Sequence, residues 1–344
     1  MENPSENKTN APVLWLAPFK GITEKPYRNA FSRHFGGFDA MYAPFVSGVG
    51  NGRIHPSKLS DILPKKDNLT PTLPQLISTD AREIILFANT LQQQGYDHIN
   101  WNLGCPFSRI ANKKRGCGLL PYPDMLDKIL EEVFREIKVK LSVKTRLGYA
   151  HPDEIHKVTE VLNRFPIDHV ILHPRIGTQV YRGEVNLKGF AGSLKACRHF
   201  MVYNGDIYNL SRYRDLKERF PEITTWMLGR GALMSPFLPL QIKGITLSDT
   251  EKRKRLWAFH QELLEEGRGR ISHPGKLSGS MKAIWYYMSG VFANGKEVFS
   301  RIKTTKTPEA LNHAIEETLQ QPFASDKEMG NYFKKDIRHV GRES

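Results

Sequence analysis

From residue 13 to about 240 the chain alternates short apolar runs with longer segments in which apolar residues recur at helical spacing. The runs are VLWLAP from Val13, FDAMYAPF from Phe38, TLPQLIS from Thr72, DHINWN from Asp97, VKLSVKTR from Val139, DHVILHP from Asp168, FMVYN from Phe200 and TTWMLG from Thr224. Helix-like segments follow most of them: EKPYRNAFSRHF, AREIILFANTLQQQG, PDMLDKILEEVFREI, PDEIHKVTEVLNRF and SRYRDLKERF. The second run leads instead into SGVGNGRIHPSK, so its helix is short or missing. Strands alternating with helices over this length predict an α/β chain folded as a (β/α)8 TIM barrel, whose usual size is about 250 residues. A doubly wound parallel sheet is the alternative architecture.

Beyond Gly244 the strand pattern stops, and segments such as TEKRKRLWAFHQELLEEG and KAIWYYMSGVF predict a C-terminal all-α helical domain. The expected division is a leader over 1–12, a barrel over 13–244 and a helical domain over 245–344. No apolar run reaches 18 residues and MENPSENKTNAP has no apolar stretch, so neither a membrane span nor a secretory signal is expected and the predicted location is cytoplasmic. Cys105, Cys117 and Cys197 include no Cys-x-x-Cys pair, which argues against a disulfide framework and a structural zinc site; no metal is expected. Fifty Lys and Arg against 36 Asp and Glu give a formal net charge of +14, which favours a polyanionic partner. Residues 245–344 hold 17 basic and 13 acidic side chains, so the excess is not confined to the tail.

Barrel active sites lie at the carboxyl ends of the strands. The residues there are Pro18 to Lys20, Gln75, Asn102 to Cys105, Lys144 and Arg146, His173 and Arg175, Asn204 to Asp206, and Gly229 to Gly231. YNGDI and LGRGA, after the seventh and eighth strands, sit where many barrels hold a phosphate: small residues admit the anion to backbone amides, and Arg230 adds a bidentate cation. Lys144 has two chemical readings, a Schiff base or a fixed positive charge against a reduced flavin. Gln75, with donors and an acceptor, suits the imide-like edge of a flavin. Cys105 reads as a nucleophile, a general acid or a small buried hydrophobe. The loop after it carries Arg109, Lys113, Lys114 and Arg115, a segment suited to a phosphate-rich substrate.

The segments LAPFKGITEKPYR, LPQLIS, INWNLGCPFSRIANKKRGCGLL, LSVKTRLGY, ILHPRIGTQVYRG, VYNGDI and MLGRGA, in this order, resemble the tRNA dihydrouridine synthases. The resemblance covers nearly all of 13–240 and is looser in the tail, at MKAIWYYMSG. It implies an FMN-bearing barrel, a helical tRNA-binding domain and NADPH-dependent reduction of a tRNA uridine to 5,6-dihydrouridine; no obligate protein partner is inferred. By matching positions, Pro18, Phe19, Lys20, Gln75, Lys144 and His173 would line the flavin. Asn204, Gly205, Asp206, Gly229 and Arg230 would hold its phosphate end. Cys105 matches the catalytic cysteine that protonates carbon 5 of uracil; Asn102, Arg175 and Tyr181 would contact the substrate. Cys117 and Cys197 read as structural. Phe19 stands where the family commonly has Met, and Pro174 where it has a small residue, so the loop after His173 is stiffened and lacks a backbone donor. The rival readings are an FMN-dependent reductase of a small enone or pyrimidine, a Lys144 Schiff-base aldolase and a non-enzymatic RNA-binding module. In the tail, the run Lys252 to Arg255 and Lys282 are the expected phosphate contacts.

Overall fold

The computed structural model describes residues 11–50 and 52–337; of the predicted leader, residues 1–10 lie outside the described residues. The strand segments are β1 (Val13–Leu16), β2 (Ala40–Tyr42), β3 (Thr72–Leu73), β4 (Gln75–Leu76), β5 (His98–Leu103), β6 (Lys140–Gly148), β7 (His169–Ile176), β8 (Phe200–Tyr203) and β9 (Thr225–Leu228). They pair in parallel in the order β3-β2-β1-β9-β8-β7-β6-β5-β4. Since β3 and β4 are the two halves of TLPQLIS, the two ends of that order meet, and the sheet is a TIM barrel whose third strand is broken in the middle.

The break falls at Pro74, which has no N–H for a ladder. Thr72 and Leu73 pair with β2, while Gln75 and Leu76 pair with β5. The Pro74 carbonyl still accepts from Asn100 N at 2.9 Å. Val46 bridges the other side, donating to the Gln75 carbonyl (2.8 Å) and accepting from Ile77 N (2.9 Å).

Helices Lys25–His34, Ala81–Gln93, Pro123–Glu136, Glu154–Leu162 and Leu210–Arg219 stand where the apolar spacing predicts them. After β2 there is only Pro56–Leu59 and a 3-10 turn at Lys65–Asp67, in keeping with the polar, glycine-rich stretch. Leu187–Ala196 is a helix that LKGFAGSLKA, with two weakly helical glycines, signals poorly. Its start is fixed by Asn186, whose side chain accepts from Gly189 N at 2.8 Å.

The period of two along the strands decides what faces where. Ile99, Trp101 and Leu103 of β5, Leu141 and Val143 of β6, and Val170 and Leu172 of β7 go to the core between sheet and helices. The alternate residues face the barrel interior, where Ala17, Tyr42, Ile171, Val202 and Met227 form a second apolar cluster. At the amino end of the barrel the interior is polar but closed on itself. His169 bonds Asp168 through Nδ1 and Tyr42 Oη through Nε2, both at 2.8 Å. His98 Nε2 bonds Ser142 Oγ (2.9 Å), and Lys140 Nζ lies 3.4 Å from Asp168.

Beyond Gly244 the chain forms Asp249–Arg270, Pro274–Met288, Gly295–Thr304, Pro308–Thr318 and Asp326–Tyr332, followed by a π-helical turn, Phe333–Ile337. These helices join the barrel's main core. Phe259 packs edge-on to Tyr27 at 5.4 Å and lies 5.0 Å from Phe35. Among the described residues no helix is long and apolar enough to cross a membrane.

Candidate active site

The carboxyl ends of the strands open into a cavity of about 780 Å³, within the range of roughly 300–1,000 Å³ common for cofactor sites. Of the residues singled out from the sequence, Pro18, Phe19, Lys20, Gln75, Asn102, Cys105, Lys144, His173, Tyr181, Asn204, Gly205, Asp206, Gly229 and Arg230 line it. Register explains the convergence: Asn102 of β5 lies opposite Lys144 of β6, and Arg146 opposite His173 of β7.

A chain of amides fixes the β4–β5 side. Gln75 donates to Asn100 Oδ1 (2.7 Å) and accepts from Asn102 Nδ2 (2.8 Å). Asn102 Oδ1 in turn accepts from the backbone N–H groups of Gly104 (3.0 Å) and Cys105 (2.9 Å), which sets the turn that presents the thiol. Gly116 lies behind that turn with φ at +59°, and a Cβ there would come within 2.6 Å of the Cys105 carbonyl, so only glycine fits. Cys117 also packs here, its Sγ donating to the Cys105 carbonyl at 3.2 Å.

Burial pushes the Cys105 thiol up, against the opposing pull of Arg146, Arg109 and Lys144. Desolvation, reinforced by Arg146, draws Lys144 down from 10.5 to about 7. Among the described residues its ammonium has no hydrogen-bond or ion-pair partner. His173 is held neutral by burial and by neighbouring Arg146 and Arg175. Arg146, buried, donates to the carbonyls of Gly104 (2.9 Å) and Ile176 (3.0 Å).

On the β8–β9 side, Asn204 Nδ2 donates to the Met227 carbonyl (2.8 Å). Arg230 Nη2 bonds Asp206 at 3.0 Å. The backbones here run close together: a Cβ on Gly231 would lie 1.8 Å from the Ile207 carbonyl. Tyr181 stands between two guanidinium groups, its ring 4.7 Å from Arg230 and 5.3 Å from Arg146. The residue before it, Val180, has φ at +51°, a costly conformation for a β-branched side chain.

Arg175 is placed differently from the expectation of a substrate contact. It is fully buried and outside the cavity wall. It grips both oxygens of Asp206 (2.9 and 2.6 Å), donates to the carbonyls of Gly183 and Arg182, and bonds His173 Nε2 (3.0 Å). Its position is that of a strut holding the loop after β7 to the loop after β8.

The tail cations are also largely spent inside the molecule. Lys252 pairs with Asp249, Arg255 with Glu251, and Arg253 donates to the carbonyls of Leu319 and Gln321. Lys282 Nζ donates to the carbonyls of Lys303 and Thr305 at the end of the helix Gly295–Thr304. Lys20 and Arg109, which line the cavity, are exposed, as are Lys113 and Lys114 in the segment after β5, where Lys114 lies over the Tyr122 ring at 4.2 Å.

Four lining residues lie beyond the barrel: Ala283, Tyr286, Tyr287 and Phe333. The WYY triplet is visible in the sequence as a resemblance to the family's WY segment, although nothing local shows that it faces the barrel mouth. Phe333 has no sequence signal at all, since only the tertiary fold brings it there. Among the charged side chains of the described residues, the wall has Lys20, Arg109, Lys144, Arg146 and Arg230 against a single carboxylate, Asp206.

The chain is similar in sequence to known proteins. A Rickettsia bellii protein described as a probable tRNA-dihydrouridine synthase is 25% identical over 309 residues, 88% of this chain and 93% of its own. A Helicobacter pylori protein of the same description is 27% identical over 245 residues, 69% of this chain and 72% of its own. The tRNA-dihydrouridine synthase B of Pasteurella multocida is 25% identical over 230 residues, 65% of this chain and 67% of its own. The family described as Dihydrouridine synthase (Dus) matches residues 15–324. From the barrel through most of the helical tail, then, this chain belongs to the dihydrouridine synthase family.

Proposed function

We propose that the chain is a cytoplasmic tRNA-dihydrouridine synthase that holds FMN in the barrel mouth, draws on NADPH and reduces a uridine of tRNA. The observation that carries this reading is the charge imbalance of the cavity, above all the unpartnered Lys144. A desolvated cation without a protein anion is costly, and a ligand carrying negative charge relieves that cost. Asn204, Gly205, Gly229 and Arg230, which line the cavity after β8 and β9, suit a phosphate monoester, since the small residues leave room beside the backbone and Arg230 adds a cation. The residues fit FMN on both counts.

Bound FMN would supply a hydride to carbon 6 of uracil, with NADPH as the source of reducing equivalents. Lys144 would set its ammonium against the negative charge of the reduced ring. Gln75, steered by Asn100 and Asn102, would offer its remaining N–H to the ring edge. Cys105 is kept as a thiol by burial, so it retains the proton that carbon 5 requires when the double bond is reduced. The thiolate left behind is favoured by Arg146, Arg109 and Lys144, and it regains its proton from solvent. Arg175 and Asp206 hold Arg230 and His173 in place.

The uracil must leave its stack to reach this depth, at a cost of a few kcal/mol. Phosphate contacts from Lys20 and Arg109 at the mouth, and from the exposed Lys113 and Lys114 in the segment after β5, would offset it. The test is the absorption spectrum of the purified chain, followed by dihydrouridine formation in tRNA with NADPH. Flavin absorption near roughly 450 nm and dihydrouridine in the product are expected. A protein that neither carries nor takes up FMN would overturn the reading.

A further inference from the structure

The end of the helical tail is fastened to the loop after β8. Asn209 Nδ2 donates to the Asp326 carbonyl (2.7 Å), and Ser211 N donates to the Asp326 carboxylate (3.0 Å). The helix Asp326–Tyr332 starts in a reciprocal cap between Ser325 and Glu328, so its first turn is fixed at the place where it meets the barrel. Gly330 lies against Tyr208, where a Cβ would be 3.4 Å from the ring. At the far end, Tyr332 Oη donates to the Tyr286 carbonyl (3.1 Å).

This docking delivers one side chain into the cavity. Phe333, 1% exposed, stacks on Tyr208 with centroids 4.7 Å apart and planes at 24°. Its ring also lies 5.0 Å from the Arg230 guanidinium, on which Tyr181 packs at 4.7 Å. Arg230 is therefore held by two aromatic rings, one from the barrel and one from the last turn of the described chain. Asp206 is shared with Arg175, which grips both of its oxygens.

Resting on the flavin reading above, we infer that the C-terminal segment is a clasp on the phosphate corner, with Phe333 as a positioning residue that fixes Arg230 for a phosphate monoester. Stacking engages the faces of a guanidinium, while phosphate is recognised by its in-plane donors, so one group can serve both. Affinity for the phosphorylated cofactor thus depends on a residue outside the barrel.

Full-length wild type, Phe333→Ala and Phe333→Leu, stripped of flavin, are titrated with FMN and with riboflavin, which has the same ring system but no phosphate. For Phe333→Ala the FMN Kd is expected to rise about 3- to 30-fold, the span of a cation–π contact. Riboflavin affinity should stay within about twofold by the same argument. Phe333→Leu keeps apolar volume without a ring; it should melt like wild type and still bind FMN more weakly. Unchanged FMN affinity in both variants overturns the clasp, as does equal weakening of FMN and riboflavin. A wild-type chain that binds neither ligand overturns the flavin reading, and the clasp with it.

Discussion

The two mouths of the barrel are built from the same strands and much the same residue types, yet they are balanced differently. At the amino end, His98, Asp168 and His169 have ligand atoms within 4.8 Å of one another, a spacing that could hold a metal ion. Their partners are nevertheless on hand within the protein: Tyr42, Ser142 and Lys140 complete the network. The hydrogen bond from His169 holds the Asp168 carboxyl down at about 2, and burial takes His98 to about 4. At the carboxyl end, Lys144 and the guanidinium groups outnumber the carboxylate, and Lys144 has no partner among the described residues. A buried polar cluster therefore marks a site when its charges do not close, whatever residues it contains.

The sharpest way to break this comparison is at Cys105. Cys105→Ala should lower uridine reduction about 100- to 10,000-fold, the usual contribution of general acid catalysis, while flavin content and NADPH oxidation persist. Turnover at the wild-type rate would remove the thiol from the chemistry.

Lys144→Met comes next. It should lower the flavin reduction potential and weaken FMN retention. It should also alter how the stability of the flavin-free chain depends on pH. With Lys144 at about 7 in the folded state against 10.5 as the ordinary value, the unfolded chain binds the extra proton between those pH values. Stability should therefore rise with pH across that window, by at most about 1.4 kcal/mol per pH unit. The variant should lack this component. Urea midpoints of both proteins at several pH values would measure it, and parallel profiles would mean that the ammonium is not desolvated.

At the closed mouth, Tyr42→Phe removes the hydroxyl from His169. The expected loss is about 0.5–1.5 kcal/mol of stability, with flavin content and turnover unchanged. A fall in turnover at normal stability would erase the distinction between the two ends. The smallest effect should come from Cys117→Ala, which removes only a weak sulfur donor to the Cys105 carbonyl. Activity within a few-fold of wild type is expected in a tRNA reduction assay, and a loss comparable to that of Cys105→Ala would make the second thiol part of the chemistry.

What could be read from the sequence was what repeats along the chain. The alternation in DHINWN and VKLSVKTR already sorts Asn102, Lys144 and Arg146 from Trp101 and Val143, and strand ends then collect the polar set at one rim. What could not be read was where donors are spent. Arg175 looks like a substrate contact until its guanidinium is seen locked onto Asp206 and two carbonyls. The basic run from Lys252 looks like an RNA contact, although acids three and four residues away in the helix neutralise two of its members. Phe333 reaches the cavity only because Asp326 meets Asn209 and Ser211, and residues so far apart in sequence leave no local pattern.

The core shared by barrel and tail has a mechanical side. Swinging the helix Asp249–Arg270 away from Lys25–His34 would strip Phe259 from Tyr27 and Phe35, and wetting each such ring costs about 1.5–3 kcal/mol. A molecule joined in this way works as a gauge rather than as a jaw. On the proposed function, the cavity waits at a fixed depth, and a uridine is selected when the RNA's own bends and backbone can lower it that far.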